Sequence, residues 1–130
     1  MKILHLFSNR RWTGPAEPVV NLSTALHRAG WDVTFACGQE HKGFKNAVLQ
    51  NAQERSVPTR IGLRLQKHNN LIRDYSDGLR LRKWLRDDQF DIVHAHLRNA
   101  HVIAGLAVYA WPGRSLQETH GSDDATGCVR

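Results

Sequence analysis

Apolar residues follow two different patterns along the chain. Continuous apolar runs begin at Lys2 (KILHLF), Asp32 (DVTFACG) and Asp91 (DIVHAHL). Runs of this length and continuity are typical of strands that are buried on both faces of a sheet. Weaker runs predict two more strands, at residues 59–63 and 115–120.

Between these runs, apolar residues recur at the spacing of a helix. The spacing predicts helices just before Gly30, at residues 45–55, at residues 71–86 and at residues 100–110. The predicted buried positions are Val19, Leu22, Leu26 and Ala29 in the first helix, Val48, Leu49 and Ala52 in the second, and Leu71, Tyr75, Leu79 and Leu85 in the third. Gly30 suits the end of the first helix, and residues 121–130 are predicted to form a loop.

Strands and helices therefore alternate over the whole of the 130 residues. This order predicts one α/β domain, a Rossmann-like parallel sheet with helices on both faces. Ligands of such sheets bind beyond the carboxyl ends of the strands, near the point where the strand order reverses. The segments that follow the predicted strands are the candidate site, namely residues 8–17, 38–41, 96–101 and 120–124.

The stretch TGPAEPVV, residues 13–20, has the chemistry of a helix start. With Gly14 as the N-cap, Pro15 takes the first helical position, where its missing N–H costs nothing. Glu17 then takes the third position, from which its carboxylate can reach back to the N-cap amide. The free N–H groups of the first turn would stabilise an anion, most simply a diphosphate. The alternative is a helix start that binds no ligand.

Several function classes lack their sequence signatures. The first strand is followed by SNRRWTG rather than G-x-G-x-x-G, and no G-K-[ST] occurs, which argues against dinucleotide-binding and P-loop enzymes. No run of about 18 apolar residues and no secretory signal is present, so a cytoplasmic location is expected. Cys37 and Cys128 form neither a metal knuckle nor a disulfide framework, and Cys37 is expected to be a buried strand residue.

The net charge of +6 is concentrated in one segment. Residues 60–86 hold eight basic and two acidic residues, whereas the other ten basic and ten acidic residues cancel. Arg80, Arg82, Lys83 and Trp84 form the predicted anion patch, with Trp84 as an interfacial anchor. A solvated helix face is the default interpretation. An anionic membrane or phosphorylated acceptor comes second, and nucleic acid, for which no motif is present, comes last.

Taken in order, the motifs resemble a known family. KILHLF, GPAE, VVNLSTALHRAGWDVTFACG, FDIVHAHL and ETHG are similar in order and spacing to the N-terminal domain of a GT-B glycosyltransferase of the retaining family 4. The resemblance covers residues 1 to about 124. It implies two Rossmann-like domains that face each other across a cleft, the N-terminal one mostly holding the acceptor and the C-terminal one mostly holding the donor nucleotide.

The resemblance also implies roles for single residues. Gly14 matches the family's glycine-rich loop near the donor diphosphate, and Glu17 matches the acidic residue that often follows it. His120, in ETHG, matches a histidine beside the transferred sugar and is the expected catalytic position. His96 matches a histidine at the end of the fourth strand and is expected on the acceptor side.

Arg10, Arg11 and Trp12 precede this loop. They are candidate acceptor contacts, because arginine binds phosphate and carboxylate well. The alternative is an exposed loop without a binding role.

The sequence departs from the family in two respects. Pro15 stands where a second glycine is usual, and a proline cannot donate a backbone hydrogen bond to phosphate. The sequence also stops after the fifth predicted strand. We therefore expect a truncated N-terminal half, without the C-terminal donor domain and inactive alone.

The histidines raise the question of a metal. His94 and His96 share one face of a strand, and His101 and His120 could lie near them. No carboxylate or cysteine completes a usual zinc spacing. Hydrogen bonding is therefore the favoured interpretation, and neither a metal nor another cofactor is expected.

Two functions remain as hypotheses. The first is a retaining glycosyltransferase of cell-envelope polysaccharide, which moves a sugar from a UDP- or GDP-linked donor to a saccharide or lipid-linked acceptor, with peripheral contact at the inner face of the membrane. The second is a stand-alone Rossmann-like binding module whose basic patch meets an anionic membrane or nucleic acid.

Overall fold

The computed structural model describes residues 1–38, 45–65, 71–109 and 126–129. The elements are β1 (Lys2–Phe7), α1 (Ala16–Arg28), β2 (Asp32–Cys37), α2 (Ala47–Glu54), β3 (Thr59–Arg60), α3 (Leu71–Asp87), β4 (Ile92–His96), α4 (Arg98–Tyr109) and β5 (Thr126–Val129). The predicted alternation of strands and helices is confirmed for the first four strands. The strand expected at residues 115–120 lies outside the described residues.

The sheet has the strand order β3-β2-β1-β4-β5. β1, β2, β3 and β4 are parallel, which confirms the predicted Rossmann-like class. β5 pairs antiparallel with β4, so the prediction of a loop at the end of the chain is wrong for Thr126–Val129. An antiparallel edge strand on an otherwise parallel sheet is common in folds of this type.

Two reciprocal hydrogen bonds join the starts of the central strands β1 and β4. The backbone N–H of Lys2 donates to the carboxylate of Asp91 at 2.8 Å, and the N–H of Asp91 donates to the carbonyl of Lys2 at 2.9 Å. They set the register in which His5 lies opposite His94 and Phe7 lies opposite His96.

The core is divided by the sheet into two layers. Alternate residues of a strand point to opposite faces, so Leu4 and Leu6 of β1 pack with α3 and α4, whereas Phe7 packs with α1 and α2. We call the first side the α3/α4 face and the second the α1/α2 face.

The predicted buried side of α1 is wrong by part of a turn. Its buried residues are Ala16, Val19, Val20, Ser23 and Thr24, whereas Leu22 is exposed. The two hydroxyl groups can be buried because they donate to carbonyls one turn earlier, Ser23 to Val19 at 2.9 Å and Thr24 to Val20 at 2.7 Å. Apolar spacing alone gives no sign of this arrangement.

The predicted buried side of α3 is confirmed for Leu85 and wrong for its other three residues. Leu71, Tyr75 and Leu79 are exposed, as is Ile72, and Leu71 keeps 88% of its accessible surface. The buried residues are Asp74, Asp77, Gly78, Leu81 and Leu85. Asp77 accepts hydrogen bonds from the backbone N–H groups of Arg64 and Leu65 at 3.0–3.1 Å, so a carboxylate holds the chain that follows β3 against the helix.

The helices α1 and α2 end in the same backbone motif. After α1, the N–H of Trp31 donates to Leu26 and that of Gly30 donates to His27; after α2, Val57 donates to Ala52 and Ser56 to Gln53. This is the Schellman pattern, whose first residue past the cap adopts a left-handed conformation. Gly30 has φ +91°, as its predicted role requires, but Ser56 adopts φ +60° with a side chain.

Candidate functional site

The candidate site lies where the strand order reverses, at the carboxyl ends of the central strands. β1 ends at Phe7 and β4 ends at His96, and the helices α1 and α4 begin close behind them. In sheets of this class the crevice between two such strands is the ligand site. At this point Leu97 adopts φ +72°, a conformation that side chains rarely take and that often marks functional sites.

The loop after β1 is held by its own side chains and by α2. The carboxamide oxygen of Asn9 accepts the N–H groups of Arg10 and Arg11 at 2.8 and 3.1 Å. The carbonyl of Arg10 accepts the N–H of Ala47, the first residue of α2, at 3.1 Å. The loop backbone is thus fixed at the edge of the crevice.

The three predicted acceptor residues of this loop differ in their solvent exposure. Arg11 is exposed, whereas Arg10 and Trp12 are half-buried. Trp12 packs against the core of the α1/α2 face, and the guanidinium of Arg55 lies 5.3 Å from its ring centroid. Arg11 therefore has the side chain most available to a ligand.

The start of α1 lies one residue later than predicted. Pro15 is the N-cap and Ala16 is the first helical residue, so Gly14 precedes the cap. Glu17, exposed in the first turn, cannot form the expected bond to the N-cap amide, because a proline has none.

This change leaves α1 with few donors for an anion. The N–H of Ala16 already donates to the carbonyl of Thr13 at 2.8 Å, and Pro18 has no N–H. Glu17 then supplies the one available amide of the first turn, together with the dipole of the helix. An anion at this helix start would find fewer backbone donors than the sequence alone predicts.

Gly14 and Gly38 both lie at the crevice, but packing explains the glycine at only one of these positions. A Cβ on Gly38 would lie 2.9 Å from the carbonyl oxygen of Arg64, so the fold itself requires a glycine there. A Cβ on Gly14 would meet no atom within 4 Å. The packing of the described residues therefore does not explain the glycine at position 14.

Asn46 is a site-supporting residue that the sequence analysis missed. Its side-chain oxygen accepts the N–H of Leu49 at 3.0 Å and caps α2, and its amide donates to the carbonyl of Gly38. An asparagine directly before an apolar helical pattern is an N-cap signal. The predicted helix start, at Lys45, lies one residue before this cap.

Three histidines gather on the α1/α2 face of β1 and β4. The Nδ1 atom of His5 lies 3.1 Å from the Nε2 atom of His96, and the ring centroids of His94 and His96 are 4.1 Å apart. One ligand atom from each of His5, His94 and His96 lies within 4.8 Å of the other two. The spacing of His94 and His96 along β4 predicts that they share a face, but only the strand register brings His5 alongside them.

Burial keeps these imidazoles neutral. Burial, with a smaller contribution from the nearby ring of His94, lowers the pKa of His5 to about 4 and that of His96 to about 2. The pKa of His94 is lowered as well, by burial and then by His101. The Nε2 of His5 and the Nδ1 of His96 are buried without a hydrogen-bond partner within the described part of the chain.

The predicted anion patch on α3 has three exposed cations and one packed tryptophan. Arg80, Arg82 and Lys83 are all exposed, and Arg80 also donates to the carbonyl of Gly62 at 2.8 Å. The half-buried Trp84 packs against the core, and the guanidinium of Arg60 lies 4.2 Å from its ring centroid. The Trp84 side chain is thus engaged by the protein itself.

The exposed side of α3 changes its chemistry along the helix. Its first half presents Ile72, Tyr75 and Leu79, and its second half presents Arg82 and Arg86 at the same helical spacing. Leu106 of α4, also exposed, lies beside Gly78 and extends the apolar part. Within the described ranges, no helix combines the length and apolar character needed to cross a membrane.

His120, the predicted catalytic residue, lies outside the described residues. The structure therefore gives it no position relative to His96 or the loop after β1. Among the described candidates, Arg10, Arg11, Trp12, Gly14 and Glu17 follow β1 and His96 ends the adjacent β4, whereas the patch on α3 lies on a helix of the α3/α4 face.

The sequence matches the family model of Glycosyltransferase Family 4 over residues 12–127. Searches of curated proteins and of solved structures found no match. The match covers most of the chain and agrees with the parallel sheet described above. The chain belongs to Glycosyltransferase Family 4.

Proposed function

We propose, from this family membership, that the chain is the acceptor-side half of a retaining glycosyltransferase. The complete enzyme would transfer a sugar from a UDP- or GDP-linked donor to a saccharide or lipid-linked acceptor. The observation that carries the proposal is the convergence of the loop after β1 and the end of β4 at the reversal of strand order. That is where a sheet of this class binds its ligand.

The acceptor would lie against the loop after β1. Arg11 is the exposed cation there, and arginine can hold a phosphate or carboxylate with two parallel hydrogen bonds. Arg10 and Trp12 would act mainly by shaping the loop, since their side chains already pack against the protein. His96 would contribute from the floor of the crevice.

The donor diphosphate would approach the chain at Gly14. No atom of the described residues explains a glycine at this position, whereas a ligand that passes close to the backbone would. Because α1 offers one available amide, this half should bind a nucleotide-sugar only weakly. Most of the donor affinity would come from a second domain, as the family resemblance implies.

A titration followed by amide NMR tests this proposal. We expect UDP- or GDP-sugars at millimolar concentration to shift the amide signals of residues 11–17 and 96–98 and to leave those of α3 unchanged. Gly14→Ala should fold normally and lose these shifts. Shifts confined to α3, or shifts equal in Gly14→Ala and the unchanged chain, would contradict a donor site at Gly14.

Activity gives a separate test. The catalytic half that holds the nucleotide is expected elsewhere, so the purified 130-residue chain should transfer no sugar to any acceptor. Sugar transfer by this chain alone, measured with radiolabelled donors, would refute the assignment as an acceptor-side half.

A second function is favoured by the exposed side of α3. An apolar half followed by a basic half suits an anionic membrane surface, where the apolar side chains enter the headgroup region and the arginines meet lipid phosphates. The proposed docking surface consists of Ile72, Tyr75, Leu79, Arg82 and Arg86. It would place the enzyme at the inner face of a membrane, close to lipid-linked acceptors.

Co-sedimentation with vesicles tests this surface. Binding is expected to vesicles that contain anionic lipid, to weaken with salt, and to fall when Arg82 and Arg86 are changed to Glu or Ile72 and Leu79 to Ser. A matched control reverses the charge of Arg28 on α1, outside the surface, and should bind normally. Loss of binding only in the arginine variants, together with equal binding to DNA, would favour a general polyanion site and reject membrane docking.

A further inference from the structure

The histidine cluster on the α1/α2 face has the composition of a metal site. His5, His94 and His96 come from two neighbouring strands, and each contributes one ligand atom to a group that spans no more than 4.8 Å. All three are imidazoles, the side chain that suits zinc and its neighbours in the first transition row. The glycosyltransferase proposal uses His96 alone and has no role for the other two.

The shortest separation in the cluster fits tetrahedral zinc. Zinc–nitrogen bonds of 2.0–2.1 Å at the tetrahedral angle place two ligand nitrogens about 3.3 Å apart. The Nδ1 of His5 and the Nε2 of His96 are 3.1 Å apart. The third ring, the half-buried His94, lies with its centroid 4.1 Å from that of His96 and tilted by 43° to it, and its ligand atom is within 4.8 Å of the other two.

The register explains why these residues meet. His5 lies directly opposite His94 in the parallel pair, and His96 follows two residues later on the same face. The strand pair therefore presents three ligands in a fixed arrangement, on rigid elements rather than on a loop. Ligands held in this way lose little freedom when a metal binds.

We propose that His5, His94 and His96 form a zinc-binding site that joins β1 to β4, with the fourth coordination position open. Three protein ligands and one open position is the arrangement of catalytic rather than structural zinc sites. His5 and His94 lie two residues before the carboxyl ends of β1 and β4, and His96 is the last residue of β4, so the open position would lie near the strand ends where ligands of such sheets bind.

The affinity of the site should be moderate. Ligating histidines usually donate their second ring nitrogen to an acceptor, and loss of such an outer-shell partner costs about 10–100-fold in metal affinity. The outer nitrogens of His5 and His96 have no such partner among the described residues. We therefore expect a dissociation constant in the micromolar range rather than in the nanomolar range.

The test is a titration of the chelator-treated chain, carrying no histidine tag, with zinc chloride. Calorimetry should give one zinc per chain, and zinc should raise the thermal unfolding midpoint, because a ligand of the folded state stabilises it. Cobalt should bind the same site and show the intense visible absorption of tetrahedral coordination. The absence of zinc uptake would overturn the proposal and leave a hydrogen-bonded pair of neutral histidines.

Two histidine variants locate the bound metal. His94→Gln removes the half-buried ligand and should weaken binding by more than the about 10–100-fold expected for an outer-shell loss. His27→Gln, in the last turn of α1 and outside the cluster, is the matched control and should bind as the unchanged chain does. Equal binding by His94→Gln and the unchanged chain would place the zinc elsewhere and overturn the proposal.

A measurement on the unchanged chain tests the site even if the variant misfolds. Histidine ring signals in NMR spectra should shift for His5, His94 and His96 when zinc is added, and the signal of His27 should stay in place. Zinc-induced shifts restricted to other histidines would reject the site even if His94→Gln failed to fold.

Discussion

Helices α2 and α3 lie on opposite faces of one sheet and use their apolar residues in opposite ways. α2 buries Val48, Leu49 and Ala52, the side that the sequence predicts. α3 exposes most of its apolar side and buries Asp74 and Asp77. The difference shows that apolar spacing identifies the apolar side of a helix, whereas the buried side also depends on the hydrogen bonds that adjacent backbone segments require.

The backbone segment that packs against α3 has N–H groups that require hydrogen-bond acceptors. The backbone after β3 presents the N–H groups of Arg64 and Leu65 toward the helix, and the carboxylate of Asp77 accepts both. Asp74 is likewise buried, and the side-chain amide of Asn99 on α4 donates to it at 3.4 Å. A buried donor without an acceptor costs about 1–3 kcal/mol, which is comparable to what the burial of one leucine returns, so hydrogen bonds can decide which side of the helix faces the sheet.

The largest expected effect is on stability, and it compares a buried leucine of α3 with an exposed one. Leu81→Ala should destabilise the fold by about 2–5 kcal/mol, because Leu81 is fully buried in the core of the α3/α4 face. Leu79→Ala, two residues away on the exposed side, should change the stability by no more than about 0.5 kcal/mol. Urea unfolding followed by circular dichroism measures both. Similar losses would mean that the exposed side is buried in solution, for example by self-association.

The next effect tests the carboxylate anchor. Asp77→Ala should cost about 2–4 kcal/mol, because it leaves two backbone N–H groups without an acceptor. Asp87→Ala, exposed at the end of the same helix, is the control and should change stability by about 0.5 kcal/mol or less. The same urea experiment applies. A small effect of Asp77→Ala would show that water replaces the carboxylate.

A third effect concerns the histidines of the opposite face, in metal-free protein. Their folded pKa values lie below the usual 6.5, at about 4 for His5 and about 2 for His96, so the unfolded chain binds more protons once the pH falls below 6.5. Stability should be complete above that pH and decline below it, by up to about 1.4 kcal/mol per pH unit for each histidine.

Urea unfolding at several pH values with a chelator present measures this decline. His5→Gln removes one of the two groups and should make the stability less dependent on pH, whereas His27→Gln should leave the dependence unchanged. A stability that stays constant from neutral pH to about pH 5 would show that neither ring is held neutral by the fold.

The smallest effect compares the ends of α1 and α2. Ser56→Gly should stabilise the protein by about 0.5–1 kcal/mol, since a glycine adopts the left-handed conformation without strain. Gly30→Ala should destabilise it by a similar amount for the same reason. Thermal unfolding of the two variants tests this prediction, and equal shifts of the unfolding midpoint in the same direction would contradict it.

The alternation of strands and helices could be predicted because buried parallel strands and amphipathic helices leave clear periodicities. The side of a helix that faces the sheet could not, because Ser23, Thr24 and Asp77 are buried through hydrogen bonds that a hydropathy pattern does not contain. The antiparallel strand Thr126–Val129 escaped prediction, since a pattern rich in glycine and polar residues resembles a loop.

The candidate site was predictable where it depends on strand ends and not where it depends on register. Loop residues such as Arg11 and Gly14 follow directly from the end of β1. The meeting of His5 with His94 depends on which strand pairs with β1 and in what alignment. The expectation that no metal binds was based on spacing along the chain, and the zinc titration now tests it.

The pairing of β1 with β4 has a consequence for how the chain folds. Its partners are distant in sequence, as the separation of 89 positions between Lys2 and Asp91 shows. During synthesis, β1, α1 and β2 are complete long before β4 leaves the ribosome, so one edge of β1 has no partner in that interval. An unpaired apolar edge is prone to aggregate, and contacts between distant residues slow folding. The yield of folded protein should therefore depend on translation rate and chaperones more than its final stability indicates.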